Sequence, residues 1–201
     1  TRRLTRGSKR IVVAVIDTGI DLQHEDLQDN LWVNKGEVGR DKNGRNKSTN
    51  GIDDDGNGYV DDVHGWNFAS NNNDLSDNHG HGTHIAGIVG ARGGNGKGIS
   101  GVAPKVSVMT LKYYDPEAKG VNNLMNTVKA IRYATKMGAQ IINYSGGGLE
   151  PSPPEKKAIS LAAKKGILVV AAAGNEKSNS DVHGYYPADY DLPNIVSVTA
   201  V

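Results

Sequence analysis

Three features of this 201-residue sequence predict an α/β domain with a mostly parallel sheet lying between helices. Apolar runs of strand length alternate with segments of helical spacing. The runs are continuous rather than alternating, as expected of strands buried on both faces. They also end abruptly in polar or glycine-rich turns, and open parallel sheets bind ligands beyond those carboxyl ends. With no internal repeat or interdomain linker, residues 1–201 read as one domain, long enough for a substantial core.

The first strand is expected at 11–16, a wholly apolar run that delivers Asp17 to its carboxyl end, followed by Thr18 and Gly19. From 36 to 78 the chain is polar, rich in Asn, Asp and Gly, and without clear periodicity. So long an irregular stretch implies a function or an added constraint. Asp77-Asn78-His79-Gly80-His81-Gly82-Thr83-His84 then opens a helix expected over 81–91. Asp77 or Asn78 would cap it, and Gly80 and Gly82 let its backbone approach another element closely. A strand follows at 106–111. Helical spacing over 121–137 puts Leu124, Val128, Ile131 and Ala134 on one stripe, with Gly138 as the stop. The strand at 140–144 runs into Ser145-Gly146-Gly147-Gly148. Pro153 and Pro154 open a helix over 155–165, which Gly166 ends. A strand at 167–173 exits into Gly174-Asn175, and 195–201 begins one more.

Composition narrows the function classes. Lys and Arg number 23 against 22 for Asp and Glu, a net charge of +1, so bulk charge points to neither nucleic acid nor a membrane surface. No apolar run approaches the roughly 20 residues of a membrane span. The absence of cysteine removes disulfides, thiolate metal sites and cysteine nucleophiles. Residues 1–10 are basic and polar, unlike a signal peptide, which implies either a cytoplasmic protein or a chain that begins at a processing boundary.

Asp17, Ser145 to Gly148, and Gly174-Asn175 all fall at strand exits on one edge of the expected sheet, and His81 starts a helix that could reach it. A histidine there can take and return a proton near neutral pH. A buried Asp17 would fix its tautomer and stabilise the imidazolium, although Asp-Thr-Gly also suits an Asx turn. The Asn175 amide could donate to an oxyanion, although a turn or C-cap role fits it equally. Ser145, Gly146 and Gly147 form either a flexible loop or an edge open to an extended peptide. His79, His81 and His84 together also offer a metal-dependent hydrolase, against which the Gly-Asn exit speaks, since a metal Lewis acid would not need that donor.

The polar stretch carries a second pattern. Asp53, Asp55, Asn57, the Tyr59 carbonyl and Asp61 stand at alternate positions, with Gly58 at the sharp turn, as in the first nine positions of an EF-hand loop. Position twelve is His64 rather than Glu, which excludes a full EF-hand; Asp62 could complete the shell. The alternative is a solvated acidic turn. Five carboxylates between 53 and 62 repel one another without a cation, and a flexible cage of oxygens suits Ca²⁺ better than Mg²⁺.

Taken together, 13–21 around Asp17, His81-Gly82-Thr83-His84-Ile85-Ala86-Gly87, Gly101-Val102-Ala103-Pro104 and 170–176 closely resemble the subtilisin family of serine proteases. The resemblance implies a three-layer subtilisin-like domain in which Asp17 orients, His81 is general base and acid, and Asn175 is the oxyanion donor. It gives His84 a structural place. It also implies a second calcium site at Asp26 and Asn95 with carbonyls of the 93–99 loop. The substrate would be an extended polypeptide paired along Ser145, Gly146 and Gly147, with 119–122 on the opposite side. Relatives often carry an apolar residue where Gly146 stands, so side-chain preference does not carry over. No serine here stands in the family's Gly-Thr-Ser nucleophile segment. The expectation is therefore a catalytic domain lacking its C-terminal third, with a partner fragment or the remainder of the protease supplying the serine. Secretion is likewise what relatives imply. The competing expectation is a non-catalytic, calcium-binding module that keeps the fold and binds peptides.

Overall fold

The computed structural model describes residues 5–114, 116, 123–177, 179 and 182–199. Its six strands are β1 (Val12–Asp17), β2 (Gly65–Asn67), β3 (Ser107–Lys112), β4 (Ile141–Tyr144), β5 (Leu168–Ala172) and β6 (Ile195–Val198). They form one sheet in the order β2-β3-β1-β4-β5-β6, and every pairing is parallel. Parallel strands force crossovers, which here carry α1 (His81–Gly90), α2 (Asn123–Lys136) and α3 (Pro153–Ala163).

β1 lies inside the sheet and shows why its sequence lacks alternation. Val13 and Val15 pack on one face with Ile20, Leu27, Ala86 and Val108, under α1. Ala14 and Ile16 pack on the other with Met109, Ile131, Ile142 and Ile159, under α2 and α3. Each fully buried aliphatic side chain of this kind contributes about 1.5–3 kcal/mol. Both faces demand apolar residues, so the strand is apolar throughout and any polar group must wait for its end, at Asp17.

Two local expectations are corrected. α3 starts at Pro153, two residues before the expected 155, because Ser152 is its N-cap and accepts from the Glu155 N–H at 3.4 Å. On α2, Val128, Ile131 and Ala134 are buried, but Leu124 is 41% exposed and faces an open groove rather than the sheet. The irregular 36–78 stretch contains a strand the pattern did not reveal: β2 is three residues long, too short to show a period. Gly65 admits it, since a Cβ there would stand 1.8 Å from the Thr110 carbonyl oxygen.

Candidate active site and acidic cluster

The carboxyl ends of β1, β4 and β5 lie side by side. Asp17 closes β1 and is 2% exposed. Its Oδ1 accepts from the Thr18 N–H at 2.8 Å and lies 2.7 Å from Nδ1 of His81. The imidazole side chain is 43% exposed, while the carboxylate side chain it meets is 2% exposed.

Neighbouring residues fix this contact. α1 begins at His81 with Gly80 as N-cap in the left-handed region at φ 88°, where a side-chain cap is missing. Two residues from elsewhere take the orphan donors of the first turn. Thr18 Oγ1 accepts from the Gly82 N–H at 2.9 Å, and Asp77 Oδ2 accepts from the Thr83 N–H at 2.8 Å. Asp77 thus caps the helix from three residues before the cap position, and it also accepts from the Thr18 hydroxyl at 2.8 Å. Burial alone would raise the Asp77 carboxyl, but donors from Thr83, Gly80 and Thr18 hold it below the ordinary carboxylate range. A Cβ on Gly82 would lie 2.3 Å from the Gly19 carbonyl oxygen, so only glycine lets α1 press this close to the β1 exit.

His79 stacks edge-on to His81 with ring centroids 6.1 Å apart, and His84 is exposed. The three histidines do not converge as ligands: among the described residues, the one group of three that could hold a metal is Glu37, Asp55 and Asp62. Beyond β4, Ser145 Oγ accepts from the Asn143 amide at 2.9 Å. Gly146 is half-buried, Gly147 is exposed, and Gly148 pairs with Tyr186 through two backbone bonds of 2.9 and 2.8 Å. Asn175, past the end of β5, is exposed. A groove of about 440 Å³ lies beside the 145–148 segment, lined by Tyr113, Leu124, Tyr144 and Tyr186. The 119–122 stretch expected on the opposite side of the substrate lies outside the described residues.

The acidic loop is organised differently from the pattern of alternating ligands. Asp55 and Asp62 come together with Glu37, their ligand oxygens all within 4.8 Å of one another. Asn34 donates to Asp55 at 2.8 Å and to Asp62 at 2.7 Å, and the Asn57 amide donates to both as well. Asp53 faces inward along its own loop, accepting from the Asn57 and Gly58 N–H groups. Asp61, at φ 54°, turns its carboxylate to the Gly51 N–H instead. The Tyr59 ring packs edge-on to Tyr133, whose hydroxyl donates to Asp62.

Glu37 is the residue the sequence pattern did not single out. It is completely buried, its Oε1 accepts from the Asp54 and Asp55 N–H groups, and its Oε2 has no hydrogen-bond partner. Burial pushes its carboxyl up, the two N–H donors offset this in part, and the charges of Asp62 and Asp55 add to the rise. Asp62 is raised for the same leading reason, against the pull of Tyr133, Asn34 and Asn57. An orphaned buried oxygen beside two further carboxylates is the donor set of a hard cation. The signal in sequence was local only: Asn34 accepts from the Gly36 N–H and caps the short turn Lys35–Glu37 that aims Glu37 inward. At Asp26, also buried, Oδ1 accepts from the Asn95 amide at 2.5 Å and Oδ2 from the Ile99 N–H at 3.0 Å. That carboxylate therefore clasps the 93–99 loop.

A sheltered carboxylate against a part-exposed imidazole, at the ligand edge of a parallel sheet, is the geometry an Asp-His hydrolase requires. The subtilase (peptidase S8) family model matches residues 8–201, and the chain belongs to that family of serine proteases. It is 39% identical over 163 residues to subtilisin-like protease 1 of Plasmodium berghei, covering 81% of this chain and 26% of that protein. It is 35% identical over 195 residues to the major intracellular serine protease of Bacillus subtilis, covering 96% of this chain and 51% of that one. Fervidolysin from Fervidobacterium pennivorans, described as a keratinolytic enzyme related to subtilisin, superposes with a TM-score of 0.69 at 29% identity. That match covers 98% of this chain and 25% of fervidolysin. The chain spans between a quarter and about half of the length of these relatives.

Proposed function

We propose that these residues form the Asp, His and oxyanion-donor part of a calcium-stabilised serine endopeptidase. The 2.7 Å contact between His81 and the buried Asp17 carries the reading. The polypeptide pairs along Ser145, Gly146 and Gly147, and its scissile carbonyl oxygen lies at the Asn175 amide. A serine hydroxyl attacks that carbonyl carbon while the outer nitrogen of His81 takes its proton. Asp17 holds the imidazole tautomer and stabilises the imidazolium. His81 then protonates the leaving amine, and water repeats the sequence on the acyl ester.

The serine comes from outside residues 1–201, because none of the serines in this sequence stands in the nucleophile segment. Residues 1–201 are thus the N-terminal part of one catalytic domain, completed by a C-terminal segment of the same protease. Glu37, Asp55 and Asp62 hold Ca²⁺, with Asp53, Asn57 and the Tyr59 carbonyl shaping the loop around it; Asp26 and Asn95 belong to a second site. Bound calcium there supplies positive charge among carboxylates that burial otherwise penalises. An extracellular location accompanies this proposal, since calcium outside cells fills weak oxygen-ligand sites.

The test is to refold the 201-residue chain alone and treat it with a serine-directed fluorophosphonate and a peptide substrate. It should neither label nor hydrolyse, and adding the C-terminal segment should restore both. Specific labelling of the isolated chain would place the nucleophile within it. Labelling absent even with the segment added would favour the non-catalytic peptide-binding module.

A further inference from the structure

Resting on the endopeptidase reading, we propose that Tyr185 closes the space beneath the scissile bond, so that the protease cleaves after small residues and rejects aromatic ones. The ring sits between the exits of β4 and β5. A Cβ on Gly147 would lie 2.5 Å from Tyr185 Cε1, and a Cβ on Gly174 would lie 2.8 Å from Cδ2. One ring edge therefore rests on the peptide-pairing segment, and the other rests on the backbone that leads to Asn175. Both contacted positions are glycine because the ring takes the volume a side chain would need. Gly174, at φ 90°, also needs glycine for its backbone conformation.

That position matters because of where a substrate residue would point. A peptide lying along 145–147 with its carbonyl oxygen at Asn175 sets its side chain toward the gap between these two strand exits, since side chains stand perpendicular to the pairing direction. The gap holds the Tyr185 ring. The ring is also anchored. Its residue's N–H donates to Asp189 Oδ2 at 2.6 Å, and the next residue, Tyr186, exchanges two backbone bonds with Gly148. The 440 Å³ groove lined by Tyr113, Tyr144 and Leu124 is a different space, since Gly174, Asn175 and Tyr185 are not among its lining residues. Displacing a packed ring to admit a second one would require repacking of the two glycine turns, a change that costs stability in close-packed interiors.

The experiment uses the complete protease that contains this chain and internally quenched peptides differing only in the residue before the cleaved bond: Gly, Ala, Leu, Phe or Tyr. The expected ratio of kcat/KM for Ala over Phe is at least ~10-fold, the scale on which a pocket discriminates by size. Tyr185→Ala should raise cleavage after Phe and Tyr by at least ~10-fold and leave cleavage after Ala within a few-fold. Tyr185→Phe keeps the ring and should keep the small-residue preference. If Tyr185→Ala fails to fold, the unmodified protease and Tyr185→Phe still decide the matter. Equal or better cleavage after Phe by the unmodified protease overturns the inference and leaves the endopeptidase reading standing. Failure to cleave any of the peptides, with no fluorophosphonate labelling, overturns the endopeptidase reading and this inference with it.

Discussion

Glu37→Gln should change stability in opposite directions with and without calcium, and the structure supplies the sign of each. In the unmodified chain Oε1 accepts from the Asp54 N–H at 2.7 Å and the Asp55 N–H at 3.2 Å. A glutamine carbonyl keeps both bonds. The orphaned Oε2 becomes an NH₂ beside the carboxylates of Asp55 and Asp62, to which it can donate. A bond to a charged acceptor in place of a buried like-charge contact should stabilise the metal-free fold by about 1–2 kcal/mol. Calcium acts the other way. At 100 times its dissociation constant it stabilises the unmodified fold by about 2.7 kcal/mol. At roughly 2–4 °C per kcal/mol for a chain of this size, that is a rise of about 5–11 °C in Tm. The variant lacks a charged ligand and should lose most of that gain. Thermal melts near pH 7.5 in excess chelator, then with calcium added, should give crossing results: variant above wild type without the ion, below it with the ion. A variant less stable in chelator, or one that retains the whole calcium gain, would refute the assignment of Glu37 to the cation.

Asp17→Asn keeps the shape but loses the charge opposite the imidazolium; in the complete protease kcat should fall by about 10⁴-fold with little change in KM, measured on a peptide ester. Gly82→Ala places a methyl group 2.3 Å from the Gly19 carbonyl oxygen, which must move α1 off the β1 exit. It should cost about 1–3 kcal/mol by denaturant melt and lower activity as His81 leaves Asp17. Glu155 is 2% exposed, and burial raises its carboxyl against the opposing pull of the Tyr190 hydroxyl at 2.9 Å. The folded state therefore holds its proton to higher pH than the unfolded chain, so stability falls as pH rises from about 4 through the raised value. Glu155→Gln should match the wild-type melting temperature below that window and exceed it above; identical curves at all pH would count against a buried charge there.

Why the sheet was legible and the cation cluster was not comes down to the range of the interactions that decide each. β1 and β3 are buried almost throughout, and β4 and β5 are apolar runs with buried positions alternating with partly exposed ones, so local composition alone marks all four. Asp17 stands at the exit of β1, where the apolar run buried on both faces ends, and Asn175 follows the exit of β5. Glu37 sits sixteen residues before Asp53 in sequence, and its contact with Asp62 is made by tertiary packing through Asn34 and Tyr133. No local spacing predicts that. Asp61 fits the alternating pattern, yet its left-handed backbone turns the carboxylate to Gly51, a reversal set by the chain's path into β2. Tyr185 was silent for the same reason: its role is defined by two glycines at 147 and 174 that meet only once β4 and β5 pair.

The stability and the chemistry of this site are held by separate sets of contacts. The acidic loop is tied to α2, through the Tyr133 hydroxyl on Asp62 and Lys136 Nζ on the Asn57 carbonyl at 2.9 Å, and leads into the edge strand β2. The Asp17–His81 contact is held by Thr18, Asp77, Gly19 and Gly82, none of which touches that loop's carboxylates. Between them stand β3 and β1, joined by six register pairs from Val12–Ser107 to Asp17–Lys112. Loosening the loop should therefore fray β2 and α2 before the buried exit of β1, an order that amide hydrogen exchange would read. On the proposed reading, a cation at Glu37, Asp55 and Asp62 would govern how long the fold survives, and the Asp17–His81 pair would govern what the fold does while it lasts.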